Sequence, residues 1–230
     1  MTGKRTSLRR FLAAALIGLP LAAVATAPAV ADPAETARGL AAHRAVYDMS
    51  LGRRADRADV TEVGGRLVYE FSGAPCEGWS SRFRLVTRLT NADGKGRVSD
   101  MRTSSFEDAD GRSYEFVNQT LVDGRSIEDT KGTARRDGAT TRVALAGRDG
   151  KPVEIAATAL FPTAHLVAII EAAKAGRTVA EIDLYDGSEG GSRLFRTTAV
   201  IGREQTGPDD TAEEPAAAAA VTAGKRRWPV

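Results

Sequence analysis

Gly65-Arg66-Leu67-Val68-Tyr69-Glu70-Phe71-Ser72-Gly73, then Ala74-Pro75-Cys76-Glu77-Gly78-Trp79, then Ser80-Ser81-Arg82-Phe83-Arg84-Leu85-Val86-Thr87-Arg88-Leu89-Thr90 is the stretch that decides the fold. Successive side chains of a strand point to opposite faces. Leu67, Tyr69 and Phe71 therefore share one face while Arg66, Glu70 and Ser72 take the other, and Phe83, Leu85 and Leu89 likewise oppose Arg82, Arg84 and Arg88. The Pro/Gly segment between the two strands carries the only cysteine of the chain. Two adjacent strands with one apolar and one charged face predict an antiparallel sheet with a wet side.

Working outward, the strand pattern repeats. Ala45, Tyr47, Met49 and Leu51 alternate with Val46, Asp48 and Ser50, and Arg53 to Asp59 forms a charged loop tip before the strand that starts near Val60. Asp-Gly pairs begin at positions 93, 110, 123, 137, 149 and 186. Such a pair supplies the positive φ that tight hairpins need. Between them lie strand-like segments: Val98 to Phe106, Ser113 to Val122, Ile127 to Arg135, Thr140 to Leu145 and Pro152 to Ala157. This is the rhythm of an antiparallel meander. One helix is expected after Pro162-Thr163, which offers a cap, with Leu166, Ile169, Ile170 and Ala173 as the packed stripe and Gly176 past its end. Strands from Thr178 to Tyr185 and from Arg193 to Gly202 follow.

The ends read differently. Lys4, Arg5, Arg9 and Arg10 precede an apolar run from Phe11 to Val24 and the small residues Ala29-Val30-Ala31, the order of a secretory signal peptide cleaved before Asp32. Arg9-Arg10-Phe11 lacks the spacer of a twin-arginine signal, so ordinary secretion to the periplasm is expected. Taking those four cations from the net charge of +2 leaves −2, which removes the case for a nucleic-acid partner. The roughly 200 remaining residues suit one domain, 32–202, that buries about 70% of its unfolded surface. Positions 203–226, rich in Pro, Ala and acids, read as a disordered linker.

Little of the sequence points to chemistry. His43 and His165 stand without a local nucleophile or metal-ligand spacing, and HExxH, GxSxG and P-loop motifs are absent. Asp108-Ala109-Asp110-Gly111 places Phe106 where a calcium loop needs its first carboxylate, so it is a plain turn. Ser188-Glu189-Gly190-Gly191 leads into a strand and has no helix N-terminus to hold an anion. Arg82, Arg84 and Arg88 form a solvated face, or a face for an acidic ligand. Trp79 belongs to the core or its rim. Cys76, a lone thiol in an exported chain, is buried and inert, crosslinks two chains, or has lost its mate; the residues leave these three open. No catalytic residue, metal ligand or cofactor-binding residue is assigned.

Taken together, Leu40 to Leu51, Tyr69-Glu70 with Cys76-Glu77-Gly78-Trp79, Ser105-Phe106-Glu107-Asp108, Leu160-Phe161-Pro162-Thr163-Ala164-His165 and Asp183 to Ser188 resemble the EipB-type cell-envelope integrity proteins, periplasmic proteins of alphaproteobacteria. The resemblance covers residues 40 to 202. It implies an all-β fold with one main helix, a strongly curved, spiral-like and open-barrel-like sheet, and an envelope-maintenance role with no known enzymatic activity or cofactor. It also implies a structural disulfide between the cysteine matching Cys76 and a second one near a longer C-terminus. That second cysteine is absent here, and Arg227-Trp228-Pro229-Val230 reads as the start of a further strand. The expectation is a chain lacking its last strands, with Cys76 unpaired and a sheet edge exposed. Function is expected to rest on binding an envelope protein or cell-wall component. The alternatives are a lipid or lipoprotein carrier using the apolar concave face and an envelope hydrolase using His165.

Overall fold

The computed structural model describes residues 33–52, 59–147, 152–207, 219 and 222–230. The proposed signal peptide, the loop tip at 53–58, the Asp-Gly pair at 149 and most of the proposed linker lie outside the described residues.

Eight strands form one antiparallel sheet in plain sequence order: β1 (His43–Ser50), β2 (Val60–Ala74), β3 (Gly78–Asn91), β4 (Gly96–Glu107), β5 (Ser113–Val122), β6 (Arg125–Asp137), β7 (Thr140–Leu145) and β8 (Val153–Ala156). A short helix, α1 (Pro33–Arg38), precedes them, and α2 (Pro162–Lys174) leads into a separate β-hairpin of β9 (Val179–Leu184) and β10 (Phe195–Val200). The expected meander is therefore present. Among the described residues the sheet is open, with β1 and β8 as its two edges. The described Asp-Gly glycines Gly94, Gly111, Gly124, Gly138 and Gly187 all have φ between 61° and 78°, the left-handed conformation for which this dipeptide was read.

Two cores form. The larger joins Tyr114 and Phe116 of β5, Ala134 of β6, Val143 of β7 and Ile155 of β8 to Ala159, Phe161 and Tyr185. The Phe116 ring lies against Gly132 of β6 and Gly187 after β9, where a Cβ would come within 2.6 and 2.4 Å of it. Neither position has room for a side chain. The smaller core packs Ala172 and Ala173 of α2 on Ala180, Ala199 and Ile201.

Two details of α2 differ from the reading of the sequence. The buried residues are Val167, Ala172 and Ala173, with Ile169 partly covered, whereas Leu166 is left 39% exposed. The reason is the partner: α2 lies on the alanines of β9 and β10, and its paired small residues permit that close approach. The cap also differs. Phe161 is the N-cap residue, no local side chain caps the helix, and Pro162 fills its first turn.

Candidate functional site

The strand register sorts every side chain of the sheet onto one of two faces. On the outer face, Arg44 pairs with Glu70 at 2.9 Å, Arg66 with Asp48 at 2.7 Å, and Arg84 and Arg102 both with Asp100 at 2.9 and 2.6 Å. The two guanidiniums hold the Asp100 carboxyl far below its ordinary range. Exposed pairs of this kind add little stability, and the face is a solvated one. Arg82 lies on it without an ion pair among the described residues.

The inner face carries the large apolar side chains of β1 to β4, with Ser81, Thr103 and Ser105 among them, and its burial is uneven. One row across β1 to β4 runs Tyr47, Leu67, Leu85, Met101; the next runs Ala45, Tyr69, Phe83, Thr103; a third begins His43, Phe71, Ser81, Ser105. The same rows continue onto β5 as Thr120, Asn118 and Phe116, all three of them buried. On the β1 to β4 side Phe71 is buried under Trp79, Leu67, Tyr69, Phe83 and Leu85 are half-buried, and the outermost apolar side chains stand open. Tyr47 is 59% exposed, and Met49, Leu89 and Met101 stand near 40%. Single exposed apolar residues are ordinary, whereas a contiguous set on one face marks an interaction site. Asn118 sits where the second row reaches β5; its Nδ2 is buried and has no partner among the described residues.

At one end of the sheet the separated sequence blocks meet. Glu107, the last residue of β4, is 4% exposed and accepts the Thr163 N–H at 2.8 Å and the Ala164 N–H at 3.3 Å. It therefore supplies the missing cap of α2. Burial raises its pKa, against the pull of those hydrogen bonds and of Arg136. Arg136 donates to the carbonyls of Gly111, Ala157 and Ala159 and lies 4.9 Å over the Phe161 ring. Leu160 exchanges main-chain hydrogen bonds with Asp183 and Tyr185 at 2.8 and 2.9 Å. Trp79, stacked on Phe71 at 4.9 Å, closes the same end. The result is a groove of about 540 Å³ walled by Trp79, Leu160, Val167, Ala37 and Glu107. Its far wall is α1, whose Thr36 hydroxyl bonds to Glu171 of α2.

The singled-out residues fall as follows. His165 bonds through Nε2 to the Thr197 hydroxyl at 2.7 Å, and that hydroxyl donates to the Ile182 carbonyl at 2.8 Å. The threonine proton is thus committed to the main chain, and burial lowers the imidazole pKa. His43 lies at the β1 edge beside Tyr69 and Phe71. Asp108 accepts the Arg112 and Ser113 N–H groups and closes a turn. Among the described residues no group of His, Cys, Asp and Glu side chains is arranged to hold a metal ion. Cys76 is exposed and free in the turn between β2 and β3.

Comparison with known proteins agrees with this arrangement. The chain is 38% identical over 180 residues to the cell envelope integrity protein EipB of Brucella abortus (strain 2308), a match that takes in 78% of this chain and 64% of that one. It thus spans less than two thirds of that relative's length. It superposes with a TM-score of 0.70 and 35% identity on the crystal structure of a beta-barrel-like protein of a domain of unknown function, also from Brucella abortus, covering 83% of this chain and 78% of that one. The family model described as EipB-like matches residues 34–230, and the chain belongs to that family.

Proposed function

We propose that this protein supports the integrity of the cell envelope from the periplasm, as a non-enzymatic module that binds an apolar segment of an envelope component. The observation that carries this reading is the open part of the inner face, where Tyr47, Leu67, Leu85 and Met101 stand in one cross-strand row whose two ends are exposed and whose middle is only half-buried. The name of the Brucella relative supports the envelope setting. The occupant is an envelope protein or a cell-wall component. His165 supplies no argument for hydrolysis, because its hydroxyl partner is already donating elsewhere.

A second reading has its own observation. Asn118 Nδ2 is a buried donor left without an acceptor at the border of the apolar rows. A lipid or lipoprotein lying along those rows would bring an ester carbonyl to it once the neighbours that cover Asn118 part, satisfying a group that is costly to leave unpaired. The two readings part in one experiment: purify the protein from envelope extract and analyse polypeptides and lipids together. A copurifying polypeptide supports the first reading, bound acyl lipid the second. An empty protein that captures neither contradicts both.

A further inference from the structure

Apart from the charges of Arg44 and Asp48, the β1 edge carries none of the usual guards against strand pairing. His43–Ser50 contains no proline, no lysine and no bulge, and its register with β2 runs unbroken from His43↔Phe71 to Ser50↔Gly64. Its outer side meets no other strand among the described residues. The Leu51 N–H donates to the Val63 carbonyl, so in the alternation of an antiparallel ladder the odd-numbered residues of β1 bond to β2. The main-chain groups of Arg44, Val46 and Asp48 consequently point away from the sheet.

From this edge we propose that two copies of the chain pair antiparallel through β1, with Val46 on the two-fold axis and Arg44 of each copy opposite Asp48 of the other. The sequence Arg44-Ala45-Val46-Tyr47-Asp48 is self-complementary in this register. The outward main-chain groups of Arg44 and Val46 meet those of Asp48 and Val46, opposite charges face each other on the outer side, and small Ala45 faces large Tyr47 on the inner side. Each cross-copy pair extends an ion pair already present, Arg44 with Glu70 and Asp48 with Arg66. Shifting the register by two residues sets Tyr47 against Tyr47, or Ala45 against Ala45, and loses the charge match. The two inner apolar faces then join across the axis into one surface.

Sedimentation velocity of the purified protein over a concentration series tests this. The wild type is expected to shift reversibly from one chain to two as concentration rises. Arg44→Glu and Asp48→Arg are each expected to stay monomeric, because each sets like charges opposite one another twice. An equimolar mixture of the two variants is expected to regain the dimer. Both sites are exposed, so far-UV circular dichroism should match the wild type. As an independent check, Val46→Cys on a Cys76→Ser background should crosslink on oxidation while Ser50→Cys on that background does not. A wild type that is monomeric throughout the series overturns the proposal, as does a dimer that survives both charge reversals or crosslinks equally at position 50.

Discussion

The Glu107 carboxylate at the end of β4 accepts the main-chain N–H of Thr163 at 2.8 Å, so a side chain 56 positions earlier in the chain caps α2. A helix start leaves N–H groups without internal partners, and burial makes them costly. Here the cap ties the eight-stranded sheet to the helix that organises the second core. The blocks Ser105 to Asp108 and Leu160 to His165 meet in this one bond pair.

Glu107→Ala should lower the unfolding free energy by about 1–3 kcal/mol, because it leaves two half-buried N–H groups unmet. Urea unfolding followed by circular dichroism measures it. A change within about 0.5 kcal/mol, the range of an ordinary surface substitution, would show that the cap does not matter.

The same carboxyl gives a pH signature. Its folded pKa lies above the ordinary 4.5, so the stability it contributes is full below that value and declines as pH rises through the raised one. Relative to Glu107→Gln, the wild type should therefore lose stability on going from pH 4.5 toward neutrality. Asp100 acts with the opposite sign. Its folded pKa is lowered, so its contribution is present above the ordinary carboxylate range and is lost as pH falls below it.

Gly132→Ala should destabilise by about 1–3 kcal/mol, since the added methyl meets the Phe116 ring and the Ala144 carbonyl within 3 Å. Combining it with Phe116→Leu should recover part of the loss. Thermal unfolding of both variants reads the difference.

His165→Asn should cost about 1 kcal/mol for the weakened bond to Thr197 and leave envelope function intact. Complementation of a deletion strain under envelope stress decides it. A folded variant that fails to complement would point to chemistry at the imidazole.

The strands were legible because alternation and Asp-Gly turns are local signals: residues 113 to 122 and 140 to 145 carry theirs within ten positions. The open part of the inner face was legible as an apolar face but not as open, since covering depends on where β9 and α2 dock. The stripe of α2 departs from the expected one at Leu166 because 3.6-residue periodicity admits two neighbouring stripes, and only the alanines of β9 and β10 choose between them. The cap by Glu107 and the docking of α1 through Thr36 and Glu171 join residues 56 and 135 positions apart, and no local pattern encodes such pairings.

The open inner face is tested most directly by Tyr47→Ser with Met101→Ser, two positions whose side chains are 59% and 40% exposed. Little folding stability rests on them, so unfolding should shift by less than about 1 kcal/mol. Retention of envelope polypeptide and lipid by the double variant, quantified beside the wild type in the same pull-down, is the measurement. The expected result is a normally folded protein that comes out empty; equal retention by the two would contradict binding at this face.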